Sequence, residues 1–267
     1  MKASAGPAAY AVTAHGEGYQ LDFCLQNDGL HRDGFCWLRG ALETGAVHTA
    51  RARLEGVLAA QADGVLTSRE QAYGIRNVLQ LWPEVAELVR QPAILEFLTQ
   101  QLGPSFGAVR VLFFDKPPGR SWTLPWHRDR TVAVEKHDGW RESGFRNPTK
   151  KAGIPHLVAP TELLSEMLTL RFLLDPMTEE NGPLVVIPGS HRVDSAKDDD
   201  LAKAEECMQV TLGGAGDVFV MRPLLAHSSL KSDEQTELRR RVLHVELSAR
   251  EALPGGMKWK EYVPLTP

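Results

Sequence analysis

Cysteine is scarce in this sequence: Cys24, Cys36 and Cys207 form no CxxC pair and their total is odd. That argues against a disulfide framework or a thiolate-bound structural zinc, and it fits a reducing, cytoplasmic setting. Positive charge is not in excess either. With a formal net charge of −4, the chain offers no general basic field for a nucleic-acid backbone, so nucleic acid is not an expected partner. No stretch approaches the roughly 18 apolar residues of a membrane span, and the first twenty residues lack the unbroken apolar segment of an export signal. No membrane association is expected. What is present is ordinary for a globular protein: 43% hydrophobic residues, with 23 Gly and 17 Pro to supply turns. At 267 residues the chain can form one large domain over 1–267, with the Ala- and Gly-rich residues 1–18 as a frayed tail.

From residue 40 to about 101 apolar residues recur at spacings of three and four, which predicts helices, with Pro83 and Pro92 at helix starts and Gly103 just past an end. After Gly103 the texture changes. Short β-rich runs follow between Gly and Pro: VRVLFFDK (109–116), LTLRFLLD (168–175), PLVVIPGS (183–190), MQVTL (208–212), DVFVMRP (217–223) and RRVLHVELS (240–248). Strands without interleaved long helices indicate a sandwich or jelly roll, so the fold class is mainly β with N-terminal helices. Residues 131–165 lack strict periodicity and read as a long inserted loop, while 194–206 reads as a solvated charged connection.

The centre of the reading is WHRDR (126–130). On a strand, side chains two residues apart share a face, so His127 and Asp129 can converge on one ion. Among the other histidines His227 stands out, because it follows the strand GDVFVMRP and a turn that could return it to His127. Two histidines and one carboxylate take one face of an octahedron and leave three positions open, which suits Fe(II) oxygenases; zinc sites more often use three or four N/S ligands. A 2-oxoglutarate molecule could take two of those positions and dioxygen the third. Its far carboxylate then needs a fixed cation, and the run LRRR (238–241) supplies candidates in Arg239, Arg240 and Arg241.

The sequence resembles the phytanoyl-CoA dioxygenase family of Fe(II)/2-oxoglutarate oxygenases. The resemblance is carried, in family order, by FFDKPPG (113–119), WHRD (126–129), LLDP (173–176), ENGPLVVIPGSH (180–191), GDVFV (216–220), HSS (227–229) and RRVLHVE (240–246), with DGFCWLRGAL (33–42) at the N-terminal side. It implies a double-stranded β-helix, a cupin-like jelly roll, with iron held by His127, Asp129 and His227 and with the co-substrate's far carboxylate held by Arg240 and Ser229. Arg239 and Arg241 stay open, because three arginines adjoin and LKSDEQTEL looks longer than the usual connection; strand alternation places those two on the face opposite Arg240, Val242 and His244. Arg128, where many members have glutamine, is expected to face away from the metal. Arg171, where some relatives place an aromatic residue, is assigned to co-substrate or substrate, with a structural ion pair as its alternative. Asp129 favours hydroxylation or another oxidative outcome such as desaturation, since related halogenases carry a small residue there.

Plainer readings cover the rest. His191 in PGSH suits a turn or capping role, His244 a satisfied core position, and LGGAGD (212–217) a hairpin rather than a phosphate cradle, since neither lysine nor strand-to-helix context accompanies it. HRD is not a kinase catalytic loop, because no Asn follows at the required spacing and DFG is absent. His137 and His156 fall in 131–165, where Trp140, Arg141, Phe145, Lys150 and Lys151 combine aromatic surface with charge; that segment leaves the HxD strand directly and is expected to be a substrate lid. The competing function class is a metal-binding cupin-like module, sugar-binding or isomerase-like, which would keep the three ligands but have no use for Arg240. The reacting partner on either reading is a small molecule.

Overall fold

Apolar residues three and four apart form single stripes on two helices. Thr44–Ala59 buries Val47, Ala50 and Leu54, and Pro92–Leu102, with Pro92 in its first turn, buries Ile94, Phe97 and Leu98. Gly103 ends the second helix at a φ of 87°, a left-handed value that favours glycine. The computed structural model describes residues 23–68, 71–119, 121–192 and 207–266. The expectations for residues 1–18 and 194–206 lie outside the described residues. No helix among those described is long and apolar enough to cross a membrane.

The helical expectation over 40–101 holds only in part. Strand β1 (Phe35–Leu38) precedes the first of these helices, and a hairpin, β2 (Val65–Ser68) and β3 (Gln71–Ile75), stands between them. The hairpin is recruited by a distant strand, β4 (Gly107–Lys116), through the pairs Gly74↔Phe114 and Ile75↔Phe113. Gly74 permits this approach, because a Cβ there would lie 2.7 Å from the Phe113 carbonyl oxygen. Local periodicity contains no trace of such a partner.

The strands that follow are β5 (Leu124–His127), β6 (Thr131–Ala133), β7 (Arg146–Lys151), β8 (Ile154–Val158), β9 (Met167–Leu173), β10 (Leu184–Val186), β11 (Gln209–Thr211), β12 (Val218–Met221), β13 (His227–Ser229), β14 (Arg240–Ser248) and β15 (Val263–Pro264). One sheet has the order β1-β12-β9-β14-β4-β3-β2, with β15 beside β4, and a second has the order β11-β10-β13-β5. The chain steps between them as β4 to β5, β9 to β10, β11 to β12, β12 to β13 and β13 to β14. That alternation is the double-stranded β-helix, the jelly roll expected from the sequence.

The larger sheet is buried on both sides. Leu168, Leu170 and Phe172 of β9, Val218 and Val220 of β12, and Leu243, Val245 and Leu247 of β14 pack outward with the two helices. The alternate residues Leu173, Phe219, Met221 and Val242 pack inward on Leu184 and Val186 of the smaller sheet. Burying each large apolar side chain contributes about 1.5–3 kcal/mol, so two layers of such contacts fix the sheet's position. Further along the same inner face stand Thr169, Arg171, His244 and Glu246, all buried.

Residues 131–165 are not a loop. They form a third antiparallel sheet, β6-β8-β7, completed by a short helix at Thr161–Ser165. The β7–β8 connection is a two-residue turn with Ala152 and Gly153 both at positive φ, and Lys151 pairs with Ile154 across it. Because Arg146 to Lys150 in β7 are exposed, no apolar alternation reveals the strand in the sequence. Val132, Val134, Phe145, Leu157, Leu163 and Leu164 build a core of their own with Val109, Leu253, Met257 and Trp259.

Candidate metal centre

His127 closes β5 and His227 opens β13, and the two residues are direct cross-strand partners with ring centroids 4.1 Å apart. Asp129 joins them by a route different from the one expected. It lies beyond the end of β5, in a three-residue turn closed by the Arg130 N–H donating to the Arg128 carbonyl at 2.9 Å, and its own N–H donates to the Pro223 carbonyl at 2.9 Å. The bend, rather than the pleat of a strand, turns the carboxylate toward the imidazoles. Its Oδ1 lies 3.8 Å from His127 Nε2 and its Oδ2 3.7 Å from His227 Nε2. The three ligand atoms all fall within 4.8 Å of one another.

The surroundings suit a cation. His127 Nδ1 is 2.8 Å from the Pro125 carbonyl and His227 Nδ1 2.9 Å from the Leu225 carbonyl. A carbonyl only accepts, so each Nδ1 carries the proton and each Nε2 presents a lone pair. Burial pushes the His227 imidazole down to about 4, which keeps it neutral. Burial works to raise the Asp129 carboxyl, but His227, His244, His127 and Arg110 outweigh it and hold the group well below the usual range. Asp129 Oδ2 is shut off from solvent and has no hydrogen-bond partner. A buried, ionised oxygen without a donor, facing two imidazole lone pairs, fits a divalent metal with nitrogen and oxygen ligands.

The three residues open into a cavity of about 570 Å³, within the range of about 300–1,000 Å³ that small-molecule sites occupy. Arg240, Ser229 and Arg171 also line it. Arg240 Nη2 donates to Ser229 Oγ at 3.3 Å, and its Nε is buried without a partner. Burial and the nearby Arg171 lower its pKa to about 9. Arg171 Nη1 lies 3.1 Å from His244 Nδ1, and burial lowers its pKa to about 10 against the pull of Asp129. Arg239 and Arg241 lie on the other face of the strand: Arg239 pairs with Asp115, and Arg241 with Asp175 and Glu55. Arg128 points away from the triad and donates to the Leu224 carbonyl at 3.0 Å.

Other residues here escaped the sequence reading. Lys116, the cross-strand partner of Arg240, donates to Ser229 Oγ at 2.9 Å and to the Leu230 carbonyl at 2.7 Å. Burial, Arg240 and Arg171 bring its pKa down to about 6. His244 is not a plain core residue, for it lines the cavity with its Nε2 4.0 Å from Asp129 Oδ2 and 3.3 Å from Glu246 Oε1. Strand alternation held both signals, since Lys116 shares a face with Phe114 of the cavity wall, and His244 shares one with Arg240.

The mouth is built by Leu66 and Tyr73 of the β2–β3 hairpin, by Arg76, and by Ser121, Trp122 and Leu124. Tyr73 and Trp122 meet edge to face at 5.3 Å. No lining residue comes from 131–165. Phe145 is buried in the segment's own core, His156 faces Arg110 at 3.0 Å, and His137 faces the His156 carbonyl at 3.2 Å. His191 sits in the turn Ser190–Arg192, outside the triad.

Comparison with known proteins gives the following. Residues 30–241 match the family model of phytanoyl-CoA dioxygenase (PhyH). The chain is 31% identical to the L-proline trans-4-hydroxylase of Streptomyces griseoviridis over 174 residues, 62% of this chain and 54% of that one, so the match spans about half of that relative's length. Among solved structures, EctD from S. alaskensis with 2-oxoglutarate and 5-hydroxyectoine is similar with a TM-score of 0.67 and 21% identity, covering 91% of this chain and 83% of that one. AviO1 from Streptomyces viridochromogenes Tue57 is similar with a TM-score of 0.63 and 21% identity, covering 90% of this chain and all (100%) of that one.

Proposed function

Since the chain belongs to the phytanoyl-CoA dioxygenase family, we propose that it is an Fe(II)- and 2-oxoglutarate-dependent dioxygenase that hydroxylates a C–H bond of a small molecule and releases succinate and CO2. The observation that carries this reading is the pairing of two features in one cavity: the His127, Asp129 and His227 cluster, and a buried arginine, Arg240, without a carboxylate partner among the described residues. A metal-binding cupin-like module would keep the first and have no use for the second.

His127, Asp129 and His227 would hold the iron. When bound with 2-oxoglutarate and dioxygen, that iron supplies the oxidising power for attack on an unactivated C–H bond. The chain's own residues set the conditions. His127 and His227 are aimed through their carbonyl contacts, burial keeps His227 neutral, and the ionised Asp129 offsets part of the metal's charge. Arg240, with Ser229, receives the far carboxylate of 2-oxoglutarate in a fork that matches two oxygens, while Lys116 braces the same hydroxyl. Arg171, tied to His244 beside Asp129, would meet the co-substrate or the substrate. Tyr73 and Trp122 cover the mouth and limit water, so we assign the covering role expected of 131–165 to the β2–β3 hairpin and residues 121–124. The chain acts as one domain, and its scarce cysteines, odd in number and without a CxxC pair, support a cytoplasmic enzyme. The L-proline hydroxylase among its relatives makes small amino acids the first substrates to try.

The test supplies purified protein with Fe(II), 2-oxoglutarate and air and follows succinate. Slow succinate formation that requires all three, accelerated by a substrate, is the expected result. Iron binding with no consumption of 2-oxoglutarate under any condition would support the cupin-like module instead.

A further inference from the structure

This inference rests on the dioxygenase reading and concerns its substrate. Among the described residues, three guanidinium groups, Arg76, Arg171 and Arg240, line the cavity against a single carboxylate, Asp129. Iron(II) brings two positive charges and 2-oxoglutarate two negative ones, so loading the site leaves that cationic excess in place. Arg240 and Arg171 stand inside, beside Ser229 and His244, and are accounted for by the co-substrate. Arg76 is not.

Arg76 directly follows β3 and belongs to the mouth. Its backbone N–H donates to the Gly64 carbonyl at 2.9 Å, which fixes its position, but its guanidinium makes no hydrogen bond or ion pair with any described residue. Burial, then repulsion from Arg110, lowers its pKa, with only Tyr73 acting the other way. On its far side lie Arg110, Lys151 and Lys260 with Glu261, around a gap of about 20 Å³ that has room for no more than a water. Glu261 makes no ion pair with Arg76, so the side that opens on the 570 Å³ cavity is the one with room for an anionic ligand. Holding a half-buried cation unpaired beside like charges costs stability, a cost explained when a ligand completes the pair.

We propose that the prime substrate carries a carboxylate, that Arg76 binds it, and that Leu66, Tyr73, Trp122 and Leu124 hold its apolar part. One guanidinium fork matches one carboxylate in both geometry and charge. A phosphate, with nearly two charges, calls for more positive charge than the one guanidinium of Arg76 supplies among the described residues of the mouth.

The test is anaerobic. The wild-type protein, loaded with Fe(II) and 2-oxoglutarate, is titrated with matched acid and amide pairs: L-proline and L-prolinamide, L-leucine and L-leucinamide, benzoate and benzamide, octanoate and octanamide. Binding is read from perturbation of the visible iron-to-2-oxoglutarate charge-transfer band. The proposal expects at least one acid to bind on the order of tenfold or more tightly than its amide. It expects Arg76→Gln to erase that preference and Arg76→Lys to restore part of it, with the 2-oxoglutarate requirement held near that of the wild type. Acids that bind no better than their amides across the panel would overturn it, as would tighter binding of phenyl phosphate than of any acid. A tenfold rise in the 2-oxoglutarate requirement of Arg76→Gln would also overturn it, by moving Arg76 to the co-substrate. Absence of any charge-transfer band in the wild type would instead count against the dioxygenase reading itself.

Discussion

The two faces of the larger sheet are made of the same strands and do opposite work. Outward, Leu168, Leu170, Phe172, Leu243, Val245 and Leu247 bury apolar surface against helices; inward, the alternate positions of β9 and β14 carry Thr169, Arg171, Arg240, His244 and Glu246. The first set stabilises the fold. The second costs stability, because cations are held in the interior with few anions to meet them. Glu246 is the exception, paired with Arg110 and in reach of His244, and it ties the interior histidine to a fixed frame. The lesson is that a strand buried on both faces can still be functional on one of them, and that period-two alternation separates the roles.

This contrast can be broken most severely at the metal. His227→Ala or Asp129→Ala should weaken iron binding by more than about 100-fold, beyond the 10–100-fold typical of outer-shell changes, while the thermal midpoint of the metal-free protein hardly changes; a metal titration paired with a melting curve checks both. On the outer face, Phe172→Ala should cost about 3–5 kcal/mol in a denaturant titration, with the folded fraction still binding iron normally. Arg240→Ala sharpens the comparison from within: it should weaken 2-oxoglutarate binding by about 2–5 kcal/mol, keep iron, and leave the metal-free fold as stable as before or more so. A full loss of stability in Arg240→Ala would mean the inner face is structural after all. The smallest effect belongs to His191→Ala, expected to keep iron and to shift stability by no more than about 0.5 kcal/mol.

How far the sequence could be read follows the range of the interactions involved. The strands 109–116, 168–175, 183–190, 208–212, 217–223 and 240–248 were legible because β-branched and aromatic residues cluster between turn signals, and each corresponds to an observed strand. The HxD pair and its distal histidine were legible as residue types at a spacing, although a turn rather than a strand brings Asp129 into place. That Arg240 faces away from Arg239 and Arg241 was legible from alternation: Arg240 lines the cavity, while Asp115 and Asp175 engage Arg239 and Arg241 on the outer side. What stayed hidden depended on distant partners. The β2–β3 hairpin exists by pairing with β4, the 146–151 strand has no buried face to show, and Arg76, Tyr73 and Trp122 meet over the cavity from segments more than forty residues apart.

That one cavity holds both the iron triad and a carboxylate-binding Arg240 is a claim that anaerobic addition of 2-oxoglutarate to the Fe(II)-loaded protein puts to the test. A visible charge-transfer band should appear in the wild type, fail to form in Asp129→Ala, and require far more 2-oxoglutarate in Arg240→Ala at unchanged iron occupancy. An iron-loaded wild type that gives no band at saturating 2-oxoglutarate, or an Arg240→Ala protein that gives it at wild-type concentrations, would contradict the claim.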